Sequence, residues 1–548
     1  GRKISDIPKI LEDDEARKIM ERTRAKQFLW VPGDPMQGKL NAFTDVEVTR
    51  DEVERVLKKA ADLIRTRVDY KFILILLFLK KLSDEWWAEY RNAVERLEGE
   101  GVSEEGAKEL ANDKSFHKFN YPEEYTWERL RKVSASELPI KLSEALKLLA
   151  NRNPELQGVV DRVDFLEFTM HRENLEILRQ LFEEFSGLPL GNVSPDVLGD
   201  AYEWILRYFA PQKAKEGEVY TPREVVKLLV ELLDPKPLES VYDPAAGSGG
   251  MLIHSYYHVK GEHGEGGAKK LFLYGQEVNP TTYGIAKMNA ILHGIKDVEL
   301  YVGDTLRSPK IKDGETFRKF DVVIANPPWN QDGYGEKTLK KAEFCDERYG
   351  YGFSPNNSAD WAWIQHMVAS AKEDTGRIGV VIDNGCLFRG GREKTIRQRI
   401  LKDDLVECVI LLPEKLFYNT GAPGAILIFN KNKPAERRGR VLFINASNEY
   451  EQHPEVRKLN RLGEGHIKKI VDAYREFKDG DGFSRVVSLD EIKENDYNLN
   501  VTLYVFPKEE VEEIDVAKEW EELKIIEEEV REVEDKVSEY LSELGFVR

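Results

Sequence analysis

The 548-residue chain is too long for one ordinary core, so two or three domains are expected, each able to bury its own interior, and a disulfide-stapled miniature is excluded. Its three cysteines, Cys345, Cys386 and Cys408, have no CxxC spacing, which suits a reducing cytoplasm and supplies no zinc site. The formal charge of −18 disfavours unaided binding to a polyanion, because such affinity comes largely from lysines and arginines that displace counterions; either basic residues cluster locally or a partner supplies the grip.

Residues 1–45 read as an N-terminal extension without an assigned role and without a signal peptide. Within it, Gly33-Asp-Pro-Met-Gln-Gly38-Lys39 resembles a phosphate loop until Leu40, where the metal-binding Ser or Thr should stand, so ATP binding there is set aside. From about Thr49 to Leu190, apolar residues recur at three- and four-residue spacing between charged faces, which predicts a helical domain over 46–190. The longest apolar run, Phe72 to Leu79, falls far short of the roughly 20 residues a membrane span needs and reads as a buried stretch of helix. A soluble, cytoplasmic protein with no membrane contact is expected. The turn-rich segment Ser186–Pro195 marks a boundary.

Beyond it, over 191–505, short apolar runs alternate with helical segments: Leu238 to Asp243, Leu271 to Glu277, Val298 to Asp304, Phe320 to Ala325, Arg377 to Asp383, Val406 to Leu412 and Ala425 to Phe429. This alternation predicts an α/β domain with a mainly parallel sheet covered on both faces, and the short connection through Gly421-Ala-Pro-Gly424 predicts an antiparallel strand at its end. The stretch Lys260–Gly267 reads as an inserted loop. In the last segment, 506–548, Leu523, Ile526, Val530, Val533, Val537, Tyr540 and Leu544 alternate at three and four residues, a coiled-coil seam of about three heptads that another helix must cover.

Three strand ends carry candidate ligand-binding groups. Val241-Tyr-Asp243-Pro-Ala245-Ala-Gly247-Ser-Gly249-Gly-Met251 places an acid and a glycine-rich turn between a strand and a helix, where doubly wound folds let the backbone approach a cofactor; a purely structural turn is the alternative. It lacks both the GxGxxG pattern and a phosphate-loop lysine, which argues against a nucleoside triphosphate. The next strand ends in Glu277, a position whose carboxylate commonly takes ribose hydroxyls, and the third ends at Asp304; either acid could instead be a helix cap.

The fourth strand runs straight into Asn326-Pro327-Pro328-Trp329. Tandem prolines cannot continue a ladder, so the tetrapeptide has little structural excuse there. Its chemistry suits an exocyclic amine whose lone pair is delocalised into a ring. The Asn326 side-chain oxygen and the Pro327 carbonyl can accept that amine's hydrogens and aim its lone pair at a methyl sulfonium, while Trp329 offers a stacking face for a flipped base. Transfer is then direct and in line, driven by positioning and electrostatics.

In this order the segments resemble the modification subunits of type I restriction-modification systems, among the amino-methylating DNA methyltransferases. Gly217-Glu-Val-Tyr220-Thr221-Pro222 precedes the glycine turn, which precedes Asn326–Trp329, and further similar stretches are Phe78–Asp84, Asp360-Trp-Ala-Trp363, Leu412–Gly421 and Tyr497-Asn-Leu-Asn500. The resemblance implies a Rossmann-like S-adenosylmethionine-dependent methyltransferase acting on N6 of adenine in DNA. It also implies a separate specificity subunit flanked by two modification subunits, and a restriction subunit in the full complex. By the same resemblance Tyr220, Thr221 and Pro222 lie at the methionine part of the cofactor, Asp243, Ala245, Gly247 and Gly249 form its cradle, Glu277 holds ribose and Asp304 meets adenine. Two features depart from the family: Trp329 stands where Phe or Tyr is more usual, and residues 1 to about 44 have no counterpart. Phe417 is a further candidate for clamping the base, or else a buried loop anchor.

Other signals are weaker. His254 and His258 are four apart, but Ser255 replaces the glutamate of a zinc-protease helix and no third ligand is evident, so no metal site is expected. The basic run Arg389–Arg399 reads either as a phosphate grip or as a solvated helix face. Cytosine-C5 chemistry is disfavoured because no Pro-Cys pair exists, whereas N4 of cytosine stays open. Rival functions are an amino-methyltransferase acting on protein glutamine or RNA, and a non-catalytic assembly subunit.

Overall fold

A computed structural model describes residues 48–64, 68–171, 173–215, 220–418, 420–454, 456–506 and a set of positions between 520 and 537. The extension 1–45 with its Gly33–Lys39 segment, Gly217 of the Thr-Pro segment, and Tyr540 and Leu544 of the heptad seam lie outside the described residues. The described residues form two units: one takes in those up to Phe209 together with Pro280–Lys296, the other those of Ala210–Asn279 and from Asp297 onward.

The first unit is helical. In α1 (Arg50–Ile64) the buried residues Val53, Leu57, Ala60, Ala61 and Ile64 fall on one stripe, as a surface helix requires. The apolar run Phe72–Leu79 opens α2 (Lys71–Gly99) and is buried all round, in agreement with the reading of its sequence. Against it packs α4 (Asn174–Ser186), which also meets α3 (Leu138–Arg152), and the Phe182 ring of α4 stacks on Trp127 at 3.9 Å between centroids. The segment Pro280–Leu292 returns as a helix whose Ile285 carbonyl accepts the buried Tyr202 hydroxyl at 3.1 Å.

The second unit is built on a nine-stranded sheet. Its strands are β1 (Ser240–Asp243), β2 (Phe272–Glu277), β3 (Val298–Val302), β4 (Val322–Ala325), β5 (Arg377–Asp383), β6 (Val406–Leu411), β7 (Gly424–Asn430), β8 (Arg440–Asn445) and β9 (Ser484–Ser488). Their spatial order is β9-β8-β6-β7-β5-β4-β1-β2-β3, and all run parallel except β7 and β9. The antiparallel strand expected from the Gly421–Gly424 connection is β7, but it lies inside the sheet, between β5 and β6, and not at its end. The strands β8 and β9 were not foreseen, because Val441–Ile444 is a short apolar run that periodicity alone does not separate from a buried turn.

Before β1 lies α5 (Arg223–Leu233), and between strands lie α6 (Gly250–Ala268), α7 (Asp360–Ala369) and α8 (Gly391–Lys402). The Lys260–Gly267 stretch is not a loop: it prolongs α6, with a kink at Gly264, whose φ of 69° no ordinary side chain adopts comfortably. Among the described residues no helix is long and apolar enough to cross a membrane. The described positions of the tail are helical, and Leu523, Ile526, Val530, Val533 and Val537 are all exposed along it.

Candidate active site

The sheet order reverses between β4 and β1, which are paired through Val241↔Val322 and Tyr242↔Val323. Where neighbouring parallel strands send their connections to opposite sides, a crevice opens at their carboxyl ends. Into that edge emerge the glycine turn after β1 and Asn326–Trp329 after β4. Both strands are fully buried, so little freedom remains in where their ends point.

Their amino ends are tied by Asp321, just before β4. Its carboxylate accepts the Ser240 N–H at 2.9 Å and the Ser240 hydroxyl at 2.7 Å, together with Lys372 Nζ at 2.9 Å and the Thr375 hydroxyl at 2.8 Å. Burial pushes this carboxyl up, but the bonds from Ser240, Lys372 and Thr375 outweigh it and hold it at about 2.

In the glycine turn, Gly247 and Gly249 take φ values of 53° and 84°, which favour glycine. Space in front of the turn is open: a Cβ on Gly247 would meet only the Ala245 carbonyl at 3.9 Å, and one on Gly250 nothing within 4 Å. Asp243 is buried and accepts the Ala245 N–H at 3.0 Å; burial, with Glu277 nearby, pushes its carboxyl up to about 8. Glu277, at the end of β2, accepts the Gly247 N–H at 2.9 Å on one oxygen and the Asn279 N–H at 2.8 Å on the other, and burial raises its pKa as well. Each of these oxygens has a second lone pair to offer a ligand. Asp304, after β3, accepts the Tyr334 hydroxyl at 2.9 Å and pairs with Arg307 at 3.2 Å.

Around Asn326 the structure brings together residues far apart in sequence. The Asn326 amide donates to the Thr221 hydroxyl at 2.9 Å, and the Trp329 indole N–H donates to the Asn326 side-chain oxygen at 2.9 Å. Thr221 precedes Pro222, which sits at the N-cap of α5. Tyr220 meets Tyr418 edge-on at 6.0 Å. Phe417 is buried and meets Trp329 edge-on at 4.8 Å, so the loop after β6 reaches the tetrapeptide.

A second network was not foreseen. Asn330, the residue after Trp329, has φ 52°, and its N–H is accepted by Asp360 at 2.8 Å. Asp360 is fully buried and bonded to Arg389 at 3.0 Å, and Arg389 also pairs with Asp383 at the end of β5 and with Glu393 at 3.4 Å. Asp360-Trp-Ala-Trp363 stands out in the sequence, but nothing local shows that it meets Asn330. The basic run is accordingly neither a phosphate grip nor a solvated face at two of its arginines: Arg389 holds carboxylates, and the buried Arg397 donates to the carbonyls of Tyr497, Cys386 and Arg389. The others are engaged too, Arg392 with Glu336 at 2.9 Å, Lys394 with Asp496 at 2.6 Å and Arg399 with the Tyr351 carbonyl at 3.0 Å.

His258 meets Asp234 at 2.8 Å, and with Glu262 the three place potential ligand atoms within 4.8 Å of one another. Lys236 Nζ already lies 2.6 Å from Asp234 and 3.6 Å from Glu262, so an ammonium supplies the positive charge there.

Comparison with known proteins agrees with this geometry. Residues 193–513 match the family described as N-6 DNA Methylase, and residues 53–185 match the HsdM N-terminal domain. The chain is 46% identical over 545 residues to the type I restriction enzyme MjaVII methylase subunit of Methanocaldococcus jannaschii, covering 97% of this chain and 92% of the relative. It is 33% identical over 413 residues to the HindI methylase subunit of Haemophilus influenzae, covering 70% of this chain and 89% of that one. The crystal structure of the type I restriction-modification system methyltransferase subunit from Streptococcus thermophilus superposes with a TM-score of 0.73 at 27% identity, over 84% of this chain and 100% of that one.

Proposed function

The chain belongs to the N-6 DNA methylase family, among the methylase subunits of type I restriction enzymes, and on that premise we propose that it methylates N6 of a target adenine in DNA as the modification subunit of such a complex. The observation that carries the reading is the pairing of β1 with β4, which delivers the glycine turn and Asn326–Trp329 side by side to one crevice.

The donor is S-adenosylmethionine, and the residues present fit it. Open space before Gly247 admits a ligand against the backbone, Glu277 stands where ribose hydroxyls are taken, and Asp304 is set for the adenine ring. Asp243, Glu277 and Asp304 set carboxyl groups along this edge as acceptors for a ligand's hydroxyl and N–H groups, and the glycine turn lacks the lysine that a polyphosphate would need. Tyr220, Thr221 and Pro222 lie on the methionine side, and Ala245 with Gly249 completes the cradle. When bound, this group supplies an electrophilic methyl.

The rest is done by the chain. The Asn326 side-chain oxygen and the Pro327 carbonyl accept the hydrogens of the exocyclic amine, Pro328 stiffens the turn that follows them, and Trp329, backed by Phe417, stacks on the extruded base. So held, the amine would present its lone pair in line to that methyl, the N–C bond forming as the donor's S–C bond breaks and the displaced proton passing to solvent, with no covalent enzyme intermediate. The exposed heptad stripe Leu523–Val537 is the seat of a partner helix on the specificity subunit, which reads the DNA and supplies the grip that an acidic chain lacks. Two such chains flank one specificity subunit, and a restriction subunit completes the cytoplasmic assembly.

The test is transfer of labelled methyl to duplex DNA by the chain with and without its specificity subunit, followed by nucleoside analysis. N6-methyladenine is expected only with the partner, and Asn326→Ala should abolish it while cofactor binding persists. Label in protein or RNA, with none in DNA, would replace the acceptor class.

A further inference from the structure

We propose that Thr221 and the indole N–H of Trp329 are positioning groups that lock the Asn326 carboxamide in one of its two orientations. The proposal rests on the methyl-transfer reading above. A carboxamide can rotate to exchange its oxygen and its NH2, and only one arrangement can serve an amine: a flipped amide would set donor against donor. An indole N–H can only donate, so the Asn326 atom 2.9 Å from Trp329 Nε1 must be the oxygen. The NH2 then faces the Thr221 hydroxyl, 2.9 Å away, which accepts its hydrogen.

The two contacts differ in effect. Trp329 decides the orientation, because Thr221 could donate as well as accept and tolerates either one. Thr221 anchors the nitrogen side, and a hydrogen given up there shifts electron density toward the amide oxygen, which strengthens it as an acceptor. That oxygen keeps a lone pair for the target amine after taking the indole hydrogen.

Both anchors are themselves held. Thr221 is fixed by Pro222 at the start of α5. The Trp329 ring is wedged against Phe417, and Gly424 at the start of β7 leaves it room: a Cβ there would come within 2.9 Å of Trp329 Cη2 and 2.8 Å of Phe417 Cε2. Phenylalanine or tyrosine at position 329 would keep a stacking face but carry no N–H at that place, so the tryptophan adds a function that its aromatic face does not explain.

The experiment compares Thr221→Val, Thr221→Ser, Trp329→Phe and the double variant Thr221→Val/Trp329→Phe, each as the full chain with its specificity subunit. Single-turnover methyl transfer is measured at saturating cofactor and acceptor, with equilibrium binding of each alongside. Thr221→Val is expected to slow transfer by about tenfold to a hundredfold, as loss of near-attack positioning does, with acceptor affinity unchanged and a fall in cofactor affinity, beside which Thr221 also lies, much smaller than the fall in rate. Thr221→Ser should restore the rate. The double variant should lose less than the product of the two single losses, since both act on one amide. A cofactor affinity that falls as far as the rate, an unchanged rate, or simple multiplication of the two losses would each overturn the proposal. Ratios are taken on whichever acceptor the wild-type complex labels, so a wrong acceptor class shows in the product and not in these comparisons.

Discussion

The carboxylate of Asp360 accepts the backbone N–H of Asn330 at 2.8 Å, one residue beyond the tetrapeptide that closes β4. Because Asn330 is left-handed and Asp360 is buried and bonded to Arg389, this contact fixes the exit of the turn on which Pro327 and Trp329 are carried. Asp360→Ala should therefore slow single-turnover methyl transfer by at least about tenfold through misplacement of the turn. Asp360→Asn, which keeps an acceptor oxygen, should recover most of that rate. Equal loss in both variants would assign the effect to charge, not to the contact with Asn330.

Glu277 spans two elements, with Gly247 on one oxygen and Asn279 on the other. Glu277→Gln sets an amide NH2 against one of those N–H groups and weakens the acceptor for ribose. Cofactor affinity, read by calorimetry, should fall by about tenfold or more, the usual worth of a hydrogen bond to a charged group. Unaltered affinity would remove Glu277 from the cofactor site.

The apolar stripe on the tail invites a simple test. Val530→Asp with Val533→Asp places charge on two exposed seam positions. Co-purification with the specificity subunit should be lost while cofactor binding by the chain is unchanged. Normal assembly by the double variant would place the contact elsewhere.

Asp321 sets a pH dependence of stability. Its carboxyl is depressed from 3.8 to about 2 in the folded chain, so the stabilisation is present above 3.8 and is lost as pH falls through about 2. Asp321→Asn should destabilise the fold at neutral pH by at most about 2 kcal/mol, since the partner Lys372 is itself partly screened by solvent. The difference from wild type, followed by denaturant melts, should shrink across that acidic window. A difference that persists at pH 2 would point to packing.

Sequence alone determined the parts of this protein that depend on local pattern. Continuous apolar runs of strand length marked the buried strands, three- and four-residue spacing marked the helices, and two prolines after Asn326 marked a turn with no other excuse. These signals are strong because burial on both faces of a parallel sheet, and the missing N–H of proline, act on a few adjacent residues. The order of the Thr-Pro, glycine-turn and Asn-Pro-Pro-Trp segments carried the family.

Tertiary structure decided what joins residues distant in the chain. Thr221 and Asn326 are 105 positions apart, and Asn330 and Asp360 are 30 apart. A hydrogen bond between them depends on where β4 ends and where α5 and α7 begin in space, and no periodicity encodes that. The same holds for Arg389: its charge suggested phosphate or solvent, yet it is tied to Asp360, Asp383 and Glu393, because the buried carboxyl groups of Asp360 and Glu393, taken out of water, must find a partner within the protein.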